Sequence, residues 1–334
     1  MDVKVCLGIE STAHTFGVSV ATLNGKILSD EKAVYKPPLG KGIHPRESAQ
    51  HHTTVAPTIL QEAIRKAKIK PKNIVAVAFS QGPGLGPCLR TGATTARAVA
   101  SYLGVPLVPV HHAIGHIELA TLTTGAKDPL VVLVSGGHTC VVAFAGGRWR
   151  VFGETEDITL GNLLDTYGRE VGLPTPSGPA VEADAEKGKK FIDLPLTVKG
   201  NNVSYSGLLT AVLNKLKEGK CRREDLSYSL QEVAFTALAE TAERVLAFTE
   251  KDELLLTGGV AANKRLQEML KIIAKEHNAK FYVVPREYSG DCGAQIAWTG
   301  VLAYKHDVKI SVEKSFVKPK WRLDTVPIPW RKTL

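Results

Sequence analysis

Paired cysteines, long apolar runs and an acidic tail are all missing from this sequence. The five cysteines, Cys6, Cys88, Cys140, Cys221 and Cys292, stand far apart, are odd in number and form no CxxC pair. That argues against a disulfide framework and a cysteine-built zinc site, and for reduced thiols. No run of 18 apolar residues occurs, so neither a membrane span nor a membrane partner is expected. The opening MDVKVCLGIE passes straight into a strand pattern, with no signal or transit peptide, and a cytoplasmic chain is the expectation. Nothing offsets the excess of 42 Lys and Arg over 33 Asp and Glu, and a net charge of +9 favours polyanionic partners such as nucleic acid. The last thirty residues hold eight Lys or Arg against three acids, interleaved with Trp321 and Trp330. They read as a solvated tail packed by its aromatics, or as a surface for RNA or a partner.

With 334 residues there is chain enough for two domains. VKVCLGIE predicts a strand with Val3, Val5, Leu7 and Ile9 alternating. The polar turn ESTAHT follows, then FGVSVATLNGKIL, folded over at the hairpin signal Asn24-Gly25. Pro45 suits a first helical turn, and the helix it opens should reach about Lys68, bent or interrupted near Pro57. His44, His51 and His52 are spaced irregularly for one ligand face and are expected on a polar helix surface. NIVAVAFSQ is a buried strand, GPGLGPCLRTG a rigid loop at a helix N-terminus that can receive an anion, and VPLVPV one more strand. The alternation implies an α/β domain.

At Asp128-Pro129 the pattern restarts. LVVLVSGGHTCVVAFAGGRWRVFG repeats the order strand, turn, strand, hairpin, strand, which predicts a duplicated domain. Two such turns facing across a cleft can hold a phosphate chain, and the Gly136-Gly137 pair lets backbone approach it closely. Helices follow around Leu160–Val171, which contains Asp165, and from the PTPSGPAVE turn, which carries Gly178 and Glu182. DLSYSLQEVAFTALAETAERVLAFTEK is expected to be a long amphipathic structural helix. DELLLTGGVAANKR reads as a buried strand, Gly258-Gly259 and a helix start, where Asn263 can reach a sugar or base.

The densest chemistry lies in PVHHAIGHIE. His112 and His116 stand four apart, on one helix face, so two imidazoles can converge on one divalent cation. A further ligand must come from elsewhere, and Asp291, in the glycine-flanked turn SGDCGAQIAWTG, is the best distant candidate.

A duplicated domain, two strand–turn–strand phosphate loops and a late Gly-Gly loop resemble the actin/Hsp70/sugar-kinase superfamily, an α/β two-domain fold with its nucleotide between the halves. The division expected is 1–126 and 127–301, with 302–334 returning to the first half. GIESTAHTFG, GIHPRESAQHH, SQGPGLGPCLR, HHAIGH, VSGGHT, SYSGLLTA, GGVAANKRL and DCGAQIAWTG, in this order over nearly the whole chain, resemble the tRNA threonylcarbamoyladenosine transferase family, the Kae/TsaD/Gcp group. STAHT and GIHPRESAQHH are similar to its archaeal and eukaryotic branch, the catalytic subunit of the KEOPS complex.

The resemblance implies transfer of a threonylcarbamoyl group from threonylcarbamoyl-AMP to N6 of adenosine 37, in tRNAs reading codons that begin with A. It implies one divalent metal per subunit, iron or zinc, on His112, His116 and Asp291, with ATP as the related nucleotide and Mg2+ compatible. Archaeal relatives supply a further Tyr where this chain has Leu133, which leaves a coordination position open. The nucleotide residues implied are Ser11 and Thr12 beside Glu10 in the first turn, Ser135, Gly136 and Gly137 in the second, Asp165, Gly178 and Glu182 near the ribose, and Asn263. Glu10 and His14 are the candidates for catalytic work, with packing of His14 against the turn as the alternative. The implied partners are the tRNA anticodon stem-loop, a small atypical kinase and further small KEOPS subunits, with the helix at 45–70 as a docking face. A zinc protease is disfavoured, because the glutamate that HExxH needs is Ala113 here. A small-molecule kinase of the same fold and a non-enzymatic nucleic-acid scaffold are the alternatives.

Overall fold

A computed structural model describes residues 3–331. The first half runs β1 (Val5–Glu10), β2 (Thr15–Thr22), β3 (Ile27–Val34), α1 (Pro45–Ala67), β4 (Ile74–Gly82), α2 (Gly86–Leu103), β5 (Leu107–His111) and α3 (His112–Thr124). The second opens with β6 (Leu130–Val134), β7 (Thr139–Ala145), β8 (Arg148–Glu154), α4 (Leu160–Glu170) and α5 (Gly178–Ala185). A small ribbon of β9 (Val198–Lys199) and β10 (Asn202–Val203) precedes α6 (Ser206–Glu218) and α7 (Arg223–Thr249). Then come β11 (Glu253–Thr257), α8 (Lys264–Glu276), β12 (Lys280–Val283), α9 (Arg286–Ser289) and α10 (Gly293–Lys305).

The two five-stranded sheets have the same topology. One is ordered β3-β2-β1-β4-β5 and the other β8-β7-β6-β11-β12. In each, the first strand pairs antiparallel with the second and parallel with the strand that follows the helical insertion. The duplication read from the repeated pattern is thus carried by strand order and direction. The hairpin at Asn24-Gly25 forms, with Gly25 at φ +93°.

β1 differs from the expected half-buried strand in a useful way. Val3 lies before it, half exposed, and all six residues of β1 are buried. Val5, Leu7 and Ile9 face one core, with Ala56, Ile59 and Ala96, while Cys6 faces a second core, with Ile296, Ala297 and Val301 of α10. Gly8 is needed on that second face, because a Cβ there would collide with the backbone of Ala297.

α1 runs unbroken through Pro57. The carbonyl that Pro57 leaves without its helical bond belongs to Thr53, and both residues face solvent, where water can take the bond. His52 is not on a polar surface. It is fully buried and packs on the Phe16 ring, with 5.6 Å between centroids. Ser48, His52, Ala56, Ile59 and Ala63 form one buried helical stripe, so the 3.6-residue period decided its place over its polarity. α7 is buried over most of its circumference, from Leu226 to Leu246, rather than along one stripe.

The return to the first half begins earlier than residue 302. α10 starts at Gly293 and packs against β1, β2 and β4; a Cβ on Gly17 or Gly300 would strike Gly293 or Ala78. Beyond α10 the tail does not stay on the first half. Ser315 and Lys318 bond to Arg97 and Gln81, but Leu323 joins the second core and Ile328 N–H donates to the Gly147 carbonyl at 2.9 Å. The tail is a strap across both halves, and residues 332–334 of the expected return segment lie outside the described residues.

Candidate metal centre and nucleotide cleft

The edge of the first sheet delivers the metal ligands. β5 ends at His111 and α3 begins at His112, so the strand-to-helix corner places one imidazole, and one helical turn places the next. Asp291 arrives from the turn between α9 and α10. The ligand atoms of His112, His116 and Asp291 all lie within 4.8 Å of one another. Asp291 Oδ1 is 3.5 Å from His112 Nε2 and 3.3 Å from His116 Nε2. A tetrahedral ion with bonds of about 2.0–2.1 Å holds its donors roughly 3.3–3.4 Å apart, and the two distances to Asp291 match that spacing.

The ligands are held from behind. His112 Nδ1–H donates to Glu10 Oε2 at 2.9 Å, which fixes the tautomer and directs Nε2 toward Asp291. Thr12 N–H donates to Glu10 Oε1 at 2.6 Å, and Gln295 Nε2 lies 3.5 Å from Oε2. Electrostatics make the pocket receptive to positive charge. Burial pushes the His112 imidazole down, but Glu10 and Asp291 outweigh it and lift it to about 9. Burial pushes Asp291 up, yet His112 and His116 hold it well below the usual carboxylate range. Burial lowers His116 despite Asp291, and its Nδ1 has no partner. The carboxylates of Glu10 and Asp291 on either side of His112 thus favour positive charge at this site. Leu133 is buried in the second core and supplies no donor.

His112 and Asp291 open onto a cleft of about 1050 Å³ between the halves. Thr12 and His14 line it from the first half. Ser135, Gly136, Gly137, Asp165, Gly178, Glu182 and Asn263 line it from the second. Glu10 and Ser11 are fully buried behind that wall: Glu10 backs His112, and Ser11 packs against Gly92. The second turn is tightly built, with Ser135 Oγ accepting from Gly137 N–H at 3.2 Å and His138 N–H at 3.0 Å. Thr159 Oγ1 donates to the Gly136 carbonyl at 2.8 Å.

Three of the cleft's polar groups are already engaged. Asp165 Oδ1 accepts from Ser177 N–H at 2.6 Å, and burial raises its pKa. Glu182 Oε1 accepts from Lys264 N–H at 2.7 Å. Asn263 caps α8 by accepting from Leu266 N–H at 3.1 Å and donates to Gln231 at 2.8 Å. Gly258, at φ +97°, passes so close to β6 that a Cβ would strike the Val134 carbonyl.

Two features of the site were missed from sequence. His138 stacks on His112 at 6.1 Å between centroids, lines the cleft, and has a buried Nδ1 without a partner. Burial holds it well below the usual histidine range. It directly follows the Ser-Gly-Gly turn, which was the available signal. The second is the cleft mouth, where Pro319, Lys320, Trp321 and Arg322 of the strap form the wall. His111, the histidine of HHAIGH left over from the metal set, reaches the Trp321 carbonyl through Nε2 at 3.1 Å. Burial lowers it to about 3, so the ring is neutral and Nε2–H donates.

The family model for TsaD, described as tRNA N6-adenosine threonylcarbamoyltransferase, matches residues 26–298. Proteins of that name from Caldivirga maquilingensis and Thermofilum pendens are 54% and 55% identical to this chain. The first match covers 98% of both chains, the second 97% of this chain and 96% of the relative. A "probable bifunctional tRNA threonylcarbamoyladenosine biosynthesis protein" from Methanothermobacter thermautotrophicus is 50% identical over 98% of this chain, which spans 61% of that longer relative. Among solved structures, T. kodakarensis HypF superposes with a TM-score of 0.64 at 17% identity, over 91% of this chain and about half (48%) of HypF. The activator of 2-hydroxyisocaproyl-CoA dehydratase from Clostridium difficile superposes with a TM-score of 0.55 at 12% identity, over 92% and 99%. These structural likenesses bear on the fold, the duplicated actin/Hsp70/sugar-kinase arrangement.

Proposed function

Because this chain belongs to the tRNA N6-adenosine threonylcarbamoyltransferase family, we propose that its cleft binds threonylcarbamoyl-AMP while His112, His116 and Asp291 hold one divalent metal, iron or zinc, beside it. The chain is an enzyme, a transferase that places a threonylcarbamoyl group on N6 of an adenosine in tRNA. The reading extends to adenosine 37 of tRNAs for codons beginning with A, with the anticodon stem-loop at the cleft mouth. What carries it is that two of the three metal donors and the Ser135–Gly137 turn line the same cavity.

Chemically, the exocyclic amine attacks the carbamoyl carbon, the bond from that carbon to the AMP phosphate oxygen breaks, and the amine loses a proton. An adenine amine is a weak nucleophile, so positioning and charge stabilisation must supply the rate. A bound divalent metal supplies Lewis-acid polarisation of a donor oxygen. The Ser135–Gly137 turn would receive the departing phosphate, and Asp165 and Glu182 offer acceptors for the ribose hydroxyls. Thr12 is beside the reacting end, its Oγ1 3.3 Å from His112 Nδ1. His14, half-buried on the cleft wall, is the candidate to receive the amine proton. Glu10 is buried and spent on His112 and Thr12, so its part is positioning.

A small atypical kinase and other KEOPS-type subunits are the proposed partners, with the exposed face of α1 as one docking surface; the bifunctional relative supports a further component acting with this one. The proposed setting is the cytoplasm, and none of the described helices is long and apolar enough to cross a membrane. The test is His112→Ala, read twice. Metal content of the purified protein and threonylcarbamoyladenosine formation, with partner enzymes and unmodified tRNA, should both fall to background. Transfer that persists in His112→Ala protein after chelation would remove the metal from the mechanism.

A further inference from the structure

The strap that walls the mouth of the cleft carries only short helical turns of its own and is anchored by bonds to the first half. Lys318 N–H donates to the Gln81 carbonyl at 2.7 Å, and Gly84 N–H to the Pro319 carbonyl at 3.1 Å. Gln81 Nε2 donates to the Phe316 carbonyl at 2.8 Å, and His111 Nε2–H to the Trp321 carbonyl at 3.1 Å. Arg97 holds Ser315 Oγ at 2.7 Å. The contact with β4 is so close that a Cβ at Gly82 would collide with the Lys318 carbonyl.

What this anchoring presents is charge. Lys318, Pro319 and Lys320 are exposed at the rim, and the Lys318 ammonium lies 4.4 Å from the centre of the Trp321 ring, itself packed edge-on against His111. Arg90, exposed on the first turns of α2, meets the same corner: its guanidinium and the Pro319 ring both lie within 3.7 Å of where a Gly86 Cβ would stand. Neither Arg90, Lys318 nor Lys320 has a carboxylate partner among the described residues, whereas Arg322 is paired with Asp324 at 3.2 Å. Lys318 and Lys320 line a second hollow of about 650 Å³ that shares Pro319 to Arg322 with the cleft, and Arg90 stands beside it across Pro319. Arg90 and the Lys318–Lys320 segment thus meet at one exposed corner with no carboxylate partner for their cations among the described residues, an arrangement that an anionic ligand complements.

We propose that Arg90, Lys318 and Lys320 form a phosphate-binding corner that grips the tRNA backbone next to the reacting adenosine, with Trp321 and His111 as its rigid support. The proposal rests on the transferase reading and locates the substrate's approach to that same cleft. RNA is favoured over an acidic protein surface because the corner opens into the cavity where the substrate base must enter.

The experiment compares the full-length protein with the Arg90→Gln/Lys318→Gln/Lys320→Gln variant. Fluorescence anisotropy follows binding of labelled unmodified tRNA between about 50 and 300 mM salt, and steady-state transfer is measured with partner enzymes present. Loss of three phosphate contacts should lower the slope of log K against log salt by about 2. KM for tRNA should rise about tenfold or more, a larger change than any in adenylate affinity. A variant carrying Arg90→Lys, Lys318→Arg and Lys320→Arg should keep the parent's slope. An unchanged slope and KM would overturn the proposal. So would a loss confined to adenylate affinity, or a loss confined to assembly with partner proteins. If the unsubstituted protein makes no product while the slope still falls in the variant, the corner stands as an RNA site and the transferase reading is what fails.

Discussion

Four histidines at and beside the metal centre share a residue type and little else, because each is defined by what its ring nitrogens meet. His112 is pinned by Glu10 and faces Asp291; His116 faces Asp291 alone; His111 turns away to hold the strap; His138 leaves one nitrogen buried and unpaired. Away from the site, His52 shows the cost of an imidazole in a core, with both nitrogens buried and unpartnered and its pKa pushed down to about 4 by burial. The unfolded chain therefore takes up this proton first as pH falls from 6.5. Stability should drop between pH 6.5 and 4 by about 1.4 kcal/mol per pH unit from this residue alone, and be indifferent to it above pH 6.5. Urea unfolding across that range checks this. His52→Leu protein should show a shallower acid dependence than the parent, and parallel curves would show that His52 is not buried neutral.

At the scale of elements, α10 is placed by glycine. It crosses the first sheet at backbone contact, with Gly8, Gly17 and Gly300 each leaving room that a methyl group would fill. Its N-terminus follows Asp291 by two residues, so the depth of the helix sets the position of a metal ligand. Gly8→Ala should therefore cost at least about 3 kcal/mol, at the upper end for overpacking, since backbone rather than a flexible side chain must move. It should also weaken metal binding without altering any ligand. Thermal unfolding and metal titration read the two effects. A variant with parental unfolding temperature would show that the helix tolerates displacement.

For the whole molecule, the question is what joins the halves around a water-accessible cleft. α3 contributes to both, its apolar residues Ala113, Ile114, Ile117 and Ala120 packing into the second core while its first two turns carry His112 and His116 of the candidate metal site. The strap supplies the second tie. Arg331 makes a two-pronged pair with the buried Glu118 carboxylate at 3.0 and 3.1 Å and lies over the Trp149 ring. Removing one member of such a pair leaves an uncompensated charge. Glu118→Gln should lower the free energy of unfolding by about 3 kcal/mol, measured by denaturant titration. A change below about 0.5 kcal/mol, the scale of an ordinary surface substitution, would mean the tie carries no load.

The amino-acid sequence by itself determined the elements and their duplication. Strand periodicity, Asn24-Gly25, Pro45 and the repeat after Asp128 are local signals, and local sterics and hydrogen bonding decide such elements without reference to distant chain. HxxxH was legible for the same reason, since helical spacing alone puts both rings on one face. Tertiary structure decided what depends on long-range packing. It drew Asp291 to the pair across more than 170 positions, turned Glu10 from the phosphate wall to the back of His112, and buried His52. It moved the crossover to Gly293 and carried a basic tail to the mouth of the cleft. Charge and hydrophobicity are properties of a residue; burial and partnership belong to the pair of surfaces that meet, and only the folded chain brings those surfaces together.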